Sequence, residues 1–438
     1  MQRFLFFSVA LSMVPAFGTA HADARWPYWR GADHTGVVAD ANPPTEWSES
    51  KNIKWKTKLP GEGKSTPIIW GDKIILQAAV AEEGKTKRPA SVSTNGAPPT
   101  QPVSGAYKYV VFCVDRATGD ILWQRAVHQS KPHQGHHPTA SFASYSPVTD
   151  GERIWASFGS RGLYCLDMDG NEIWRAATLE LDISGKFGEG SSPALVGDAV
   201  VVLADHEGQS KLFAFNKDTG DVLWEVDREE GSSWSSPVPV KVGDRWEVLT
   251  SASAYIRSYD AKTGELIWKC SGLTGCAAPT PIVHDGKAYF TTGFRGESIM
   301  AITLGNTGDL TGTDAVAWAV DSTGSNVPSP LIHDGRLYVF KGYSNKLTCF
   351  DAATGEVKFL EAKLDGLRET YASPLAVGDR IYITGRNGTT LVLKPGDTLN
   401  IVASNTLDEV IDASPVVIGD ELYLRGSGTL YCVARNAS

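Results

Sequence analysis

Five basic residues, Arg161, Arg295, Lys341, Arg386 and Arg425, stand at similar offsets from a Ser/Thr-Pro dipeptide that recurs along the chain. In a protein with a formal charge of −9, cations gathered on one rim would make a local anion site for a carboxylate or sulfate. The competing reading is a set of solvated turn residues or ion pairs between repeats. Glu189, Asp205, His206, Glu207, Asn326 and Asp412 are the acidic and polar candidates for the same site. They are residue types that ligate a hard cation or serve as a base, but their spacing is not diagnostic.

Four of the nine histidines, His128, His133, His136 and His137, fall in one connection. The cluster of His133, His136 and His137 could bind Zn²⁺ or Cu²⁺, yet it lacks the paired Cys/His spacing of structural zinc sites, and a polar lip over a binding site is the plainer reading. An insertion carries Asn306, Asp309, Thr311 and Asp314; a small Ca²⁺ loop is conceivable, but the EF-hand pattern is missing and an elaborated hairpin accounts for it. Cys113, Cys165, Cys349 and Cys432 occupy equivalent repeat positions and read as small core residues. Cys270 and Cys276 flank one connection and either form a disulfide in an oxidising compartment or remain thiols. There is no Gly-x-Ser-x-Gly, no P-loop and no His-Glu-x-x-His.

These side chains need a scaffold, and the repeats define it. Thr66, Ser146, Ser192, Ser236, Thr280, Ser329, Ser373 and Ser414 each precede a proline, a short apolar run and a Gly-Asp or Asp-Gly turn. From Pro147 the prolines are spaced by 46, 44, 44, 49, 44 and 41 residues, the period of a four-stranded propeller blade. A hairpin follows each motif: an apolar strand, a turn opened by Asp or Asn and closed by Thr-Gly, and a strand ending in Trp or a related residue, as in Asp260-Ala-Lys-Thr-Gly-Glu-Leu-Ile-Trp268. The eighth unit stops after Leu430-Tyr431-Cys432-Val433, one strand short, and Ile53-Lys-Trp55 before the first motif supplies the missing piece. The expected fold is all-β, an eight-bladed β-propeller of four-stranded antiparallel blades, its ring closed by the N-terminal strand completing the last blade. The recurrent Trp residues would wedge between blades. The tight turns share one face; segments 80–106, 128–145, 184–191, 229–235, 270–278 and 321–327 share the other, where a site is expected around the central funnel.

Residues 1–22 combine Arg3, an apolar run broken by Pro15 and a small-x-small end at Ala20-His21-Ala22. They read as a signal peptide cleaved near Ala22-Asp23, followed by an N-terminal segment at 23–52 and a single propeller at 53–438. A periplasmic or secreted protein follows, with no lipid anchor, no transmembrane segment in the mature chain and no nucleic-acid partner, since the charge has the wrong sign.

The copies Asp115-Arg-Ala-Thr-Gly-Asp-Ile-Leu-Trp123 and Asp260 to Trp268 closely resemble the hallmark of the PQQ-like β-propeller repeat family, which has the quinoprotein alcohol dehydrogenase-like fold. The resemblance runs from about Trp26 to the C-terminus. Trp26-Pro-Tyr-Trp29-Arg-Gly31, Pro44-Thr-Glu-Trp47, Gly293-Phe-Arg-Gly296, Tyr371-Ala-Ser-Pro374 and Ile383-Thr-Gly-Arg386 are similar to an exported bacterial subgroup of unassigned activity. For the quinoprotein dehydrogenases the resemblance implies pyrroloquinoline quinone and Ca²⁺ in the funnel, with the acidic and polar candidates as ligands or base. The chain departs from many of them in lacking an adjacent Cys pair, and it carries no Cys-x-x-Cys-His haem site. For the BamB-like lipoproteins it implies a binding scaffold without chemistry, from which the chain departs in lacking the lipid-attachment Cys. The leading expectation is an exported scaffold for a small-molecule or protein ligand in the cell envelope, with no catalytic residue assigned. The alternative is a quinone- and Ca²⁺-dependent alcohol or sugar dehydrogenase.

Overall fold

Each repeat begins as a local hairpin. The Asp260 carboxylate accepts the N–H groups of Lys262 (2.8 Å) and Thr263 (3.0 Å), and Gly264 N–H returns to the Asp260 carbonyl at 2.8 Å. Asp115, Asn216 and Asp351 close the same turn in their own repeats. The turn is satisfied within its own five residues, so it is legible wherever it recurs.

The computed structural model describes residues 24–82, 100–103, 105–341 and 344–435, and the expected signal peptide lies outside them. Eight sheets, each with four antiparallel strands in a row, form the blades. In the third, for example, Ala194–Val196, Ala199–Ala204, Ser210–Asn216 and Val222–Arg228 follow one another from the central channel outward. The eighth takes Val416–Ile418, Glu421–Arg425 and Thr429–Val433 from the C-terminal end and Ile53–Lys58 as its outer strand, with Trp55 opposite Cys432. The predicted closure is therefore the observed one. Cys113, Cys165 and Cys349 likewise face Trp123, Trp174 and Phe359 across third and fourth strands, and all four thiols are fully buried.

Tryptophans join the blades. Trp224 Nε1 donates to the Ala261 carbonyl of the next blade at 3.1 Å, and its ring covers Gly264, where a Cβ would stand 2.7 Å from Trp224 Cε3. Trp55, Trp123, Trp174 and Trp318 make the same donation at 3.0 to 3.2 Å. Trp268 departs from the pattern. The next blade's hairpin carries the oxygen-rich insertion, whose Gly308–Asp309 strand runs back to pair in parallel with Leu266–Cys270. The tight turn that would accept the indole N–H is thus replaced, and Trp268 Nε1 is buried without a partner among the described residues while the ring meets Phe290 edge-on at 6.3 Å.

At the channel, the backbone N–H of each motif Ser or Thr donates to the hydroxyl of the next blade's motif residue. The series runs Thr66 to Ser146, Ser192, Ser236, Thr280, Ser329, Ser373, Ser414 and back to Thr66, at 2.8 to 3.1 Å throughout. Eight hydrogen bonds close a circle.

The N-terminal segment does more than lead into the ring. Arg25–Trp26 pairs antiparallel with the inner strand of the first blade, and Val37–Val38 pairs in parallel with that of the seventh. Residues 24–38 therefore enter the channel from the tight-turn face, reverse near the hydroxyl ring and leave again, as a plug. Arg30 anchors it: its guanidinium is buried and donates to the carbonyls of Pro374 (2.8 Å), Pro330 (2.9 Å) and Thr35 (2.7 Å). No carboxylate offsets its desolvation, and burial lowers its pKa to about 9.

Gly264→Ala places a Cβ against Trp224 at a φ of 76° and should cost about 1–3 kcal/mol in urea unfolding. Gly286→Ala, at a φ of 71° with no heavy atom within 4 Å, isolates the backbone effect and should cost about 1 kcal/mol. Arg30→Ala leaves three carbonyls without their donor and should lower stability by about 2–4 kcal/mol in the same measurement.

Candidate functional site

Side chains alternate along an extended chain, so the residue two before each motif Ser or Thr faces the channel above the hydroxyl ring. Lys64, Ser144, Gly190, Trp234, Ala278, Val327, Tyr371 and Asp412 hold this position, and all eight line a single cavity of about 300 Å³ with the eight hydroxyls as its floor. Trp29, carried by the plug, reaches the base; Phe187, Phe294, His137 and Asn326 complete the walls. The cup opens on the face of the irregular connections, and five of the expected segments contribute to it; most of the sixth, 80–106, lies outside the described residues.

Its charges are settled internally. Asp412 is nearly buried, with Arg386 Nε 2.6 Å from Oδ1 and Lys64 Nζ 2.7 Å from Oδ2. The Arg386 guanidinium also lies over the Tyr371 ring at 4.7 Å and pairs with Glu369 at 2.6 Å. Glu189 accepts the Ser160 N–H (2.8 Å), the Ser160 hydroxyl (2.6 Å) and the Tyr145 hydroxyl (3.0 Å). Burial, with the Glu189 charge beside it, holds the Tyr145 phenol well above its usual pKa, so it stays a donor. Burial lowers the pKa of His137, which favours a neutral ring.

The structure divides the other sequence candidates. Of the five cations proposed as an anion ring, only Arg386 touches the cup wall. Arg161 meets His133 Nδ1 at 2.5 Å outside the cup, Lys341 pairs with Glu361 and with Glu297 (3.8 Å), and Arg295 is exposed beside Phe294. Arg425 is buried between the last and first blades, donating to the Ser65 hydroxyl and to the carbonyls of Ser65 (2.8 Å) and Gln77 (2.7 Å). Asp205 lies in the third blade, where Arg228 (2.7 Å) and Ser233 (2.8 Å) hold it; His206 is bonded to Gly208 and Gln209 of its own loop and accepts the Asp182 N–H at 3.2 Å, and Glu207 accepts from Ser232 at 2.7 Å. Glu189, Asn326 and Asp412 do reach the cup.

The histidines do not converge: His133 Nε2 meets the Leu181 carbonyl, His136 Nδ1 the His137 carbonyl and His137 Nδ1 the Thr139 hydroxyl, each at 2.7 Å. Cys270 and Cys276 are both free thiols. The residues reasoning from sequence missed are the wall aromatics and Lys64, for which the position two before the Ser/Thr was the available signal.

A quinone with Ca²⁺ would need about six to eight oxygen ligands around the metal. The two carboxylates of the cup stand three blades apart and are already engaged, and among the described residues no three His, Cys, Asp or Glu side chains form a metal-holding group. This donor set does not fit such a centre. The Asp205–Arg228 pair is wholly buried, so Asp205→Ala should cost about 3–5 kcal/mol in urea unfolding by leaving an uncompensated guanidinium, as expected of a framework residue.

Among solved structures, BamB from Moraxella catarrhalis is similar at 16% identity and a TM-score of 0.53, over 79% of this chain and 98% of that one. Quinohemoprotein alcohol dehydrogenase from Comamonas testosteroni is similar at 11% identity and a TM-score of 0.59, over 95% and 82%. The computationally designed Ika8 protein is similar at 14% identity and a TM-score of 0.51, over 81% and 98%. At these identities the likeness is one of fold. No curated protein matches. Residues 108–271 and 214–438 match the family model described as outer membrane protein assembly factor BamB, and with eight closed blades built on that repeat the chain belongs to this PQQ-like propeller family.

Proposed function

We propose that this protein is an exported binding scaffold of the BamB-like kind and that the central cup is where it takes its ligand, either a small molecule or a group presented by a protein partner in the cell envelope. The observation that carries this reading is the state of the cup's carboxylates: Asp412 is neutralised by Lys64 and Arg386, and Glu189 is held by three hydrogen bonds from Ser160 and Tyr145. A general base needs a free carboxylate within reach of the substrate, and a quinone-bound Ca²⁺ needs several. What the cup offers instead is aromatic surface over a hydroxyl floor, the mix of apolar wall and a few placed polar groups that ligand sites share. Export rests on the apolar, Pro15-broken run and small-x-small end of residues 1–22.

The purified protein, incubated with pyrroloquinoline quinone and Ca²⁺ and then dialysed, should retain no quinone absorbance and reduce no dye with a panel of alcohols and sugars. Stoichiometric quinone retention, or alcohol-dependent dye reduction, would replace the scaffold by the dehydrogenase.

A further inference from the structure

We infer that the cup is a saccharide site, an inference that rests on the reading of the cup as the place where ligand binds. Its floor is the first reason. Each motif hydroxyl accepts a backbone N–H from the neighbouring blade, so its oxygen is held in place while its own proton remains to be given. Among the described residues no hydrogen bond uses any of these eight protons. All eight of these residues line one cavity, and a hydroxyl can both donate and accept, as a sugar hydroxyl does. An apolar ligand would desolvate this floor and satisfy none of it.

The walls are the second reason. Phe187, Trp234, Phe294 and Tyr371 are spread round the rim and Trp29 lies at the base. The C–H face of a pyranose is apolar and lies flat on such rings, while its hydroxyls project sideways and down. Trp234 is preset for this, since its Nε1 donates to the Gly188 carbonyl at 2.6 Å and fixes the ring. Size and charge agree. About 300 Å³ is at the small end of ligand sites, suited to one or two sugar rings with the remainder of a chain outside. The cations bordering the cup, Lys64 and Arg386, are both committed to Asp412, so the cup selects for a neutral, hydroxyl-rich ligand over an anion.

The test uses the full chain without its first 22 residues, with saturation-transfer NMR and calorimetry against glucose, maltose, cellobiose and chitobiose, and against benzoate and octylammonium as non-sugar probes. One or more of the sugars should bind, and Trp234→Ala and Phe294→Leu should each weaken it about tenfold in protein that remains folded. Thermal melts separate loss of the site from loss of the fold. If benzoate or octylammonium binds in a Trp234-dependent way and no sugar does, the saccharide assignment is overturned while the binding cup stands. If neither class binds at the cup, both readings fall.

Discussion

The circle of eight backbone-to-hydroxyl hydrogen bonds at the channel is the constraint on which the rest depends. Each bond is worth about 1 kcal/mol net, a modest sum beside the apolar burial between blades. Its importance is geometric. A hydroxyl is needed at every motif, because only Ser or Thr offers an acceptor at that distance from the chain with so little bulk. The proline after it carries no N–H and so leaves no further donor to satisfy beside the channel. The series closes only if the eighth donor, Ser414 N–H, meets the first acceptor, Thr66 Oγ1, at 3.1 Å. Blade number, channel radius and the placement of everything above the ring are thereby fixed together.

A ring of eight blades leaves a hole too wide for side chains to fill, and the N-terminal plug is the answer. It adds a strand to the inner edge of two blades and so pairs backbone groups that would otherwise be left to water in the channel. Arg30 spans between carbonyls of the sixth and seventh blades from within the plug. A plug that ends at Trp29 turns the tunnel into a cup, with a floor, a wall and one open side. The connections, which vary, form the open side of this cup, and the repeated hairpins on the other face set the spacing.

The same separation explains which candidate residues serve the framework. Asp205, His206, Arg425 and Lys341 are titratable and sit near the expected face, but their partners lie in the walls of blades and between them. A charge near a corner of a blade has two options, the lumen or the interface, and a shift of one residue along an extended chain exchanges them. Asp412, two before its motif Ser, points to the lumen; Asp205, at the end of an inner-blade strand, is buried against Arg228.

The sequence by itself determined the blade count, the hairpins, the closing strand through Trp55 and the face that carries the connections. All of these rest on interactions within a few residues or on a period that repeats, and local chemistry such as the Asp260 turn is complete within its own segment. It also held the lumen positions, in the residue two before each Ser/Thr, although their meaning needed the ring to be visible. Only the tertiary structure decided that residues 24–38 fill the channel, that Arg30 bonds to carbonyls some 300 and 344 positions away, and that Lys64 and Arg386 converge on Asp412. These contacts have no period and no local signature. They exist because closing the ring brings the two ends of the chain and eight separate connections to one axis, and a linear pattern carries no record of which distant side chains that closure will set face to face.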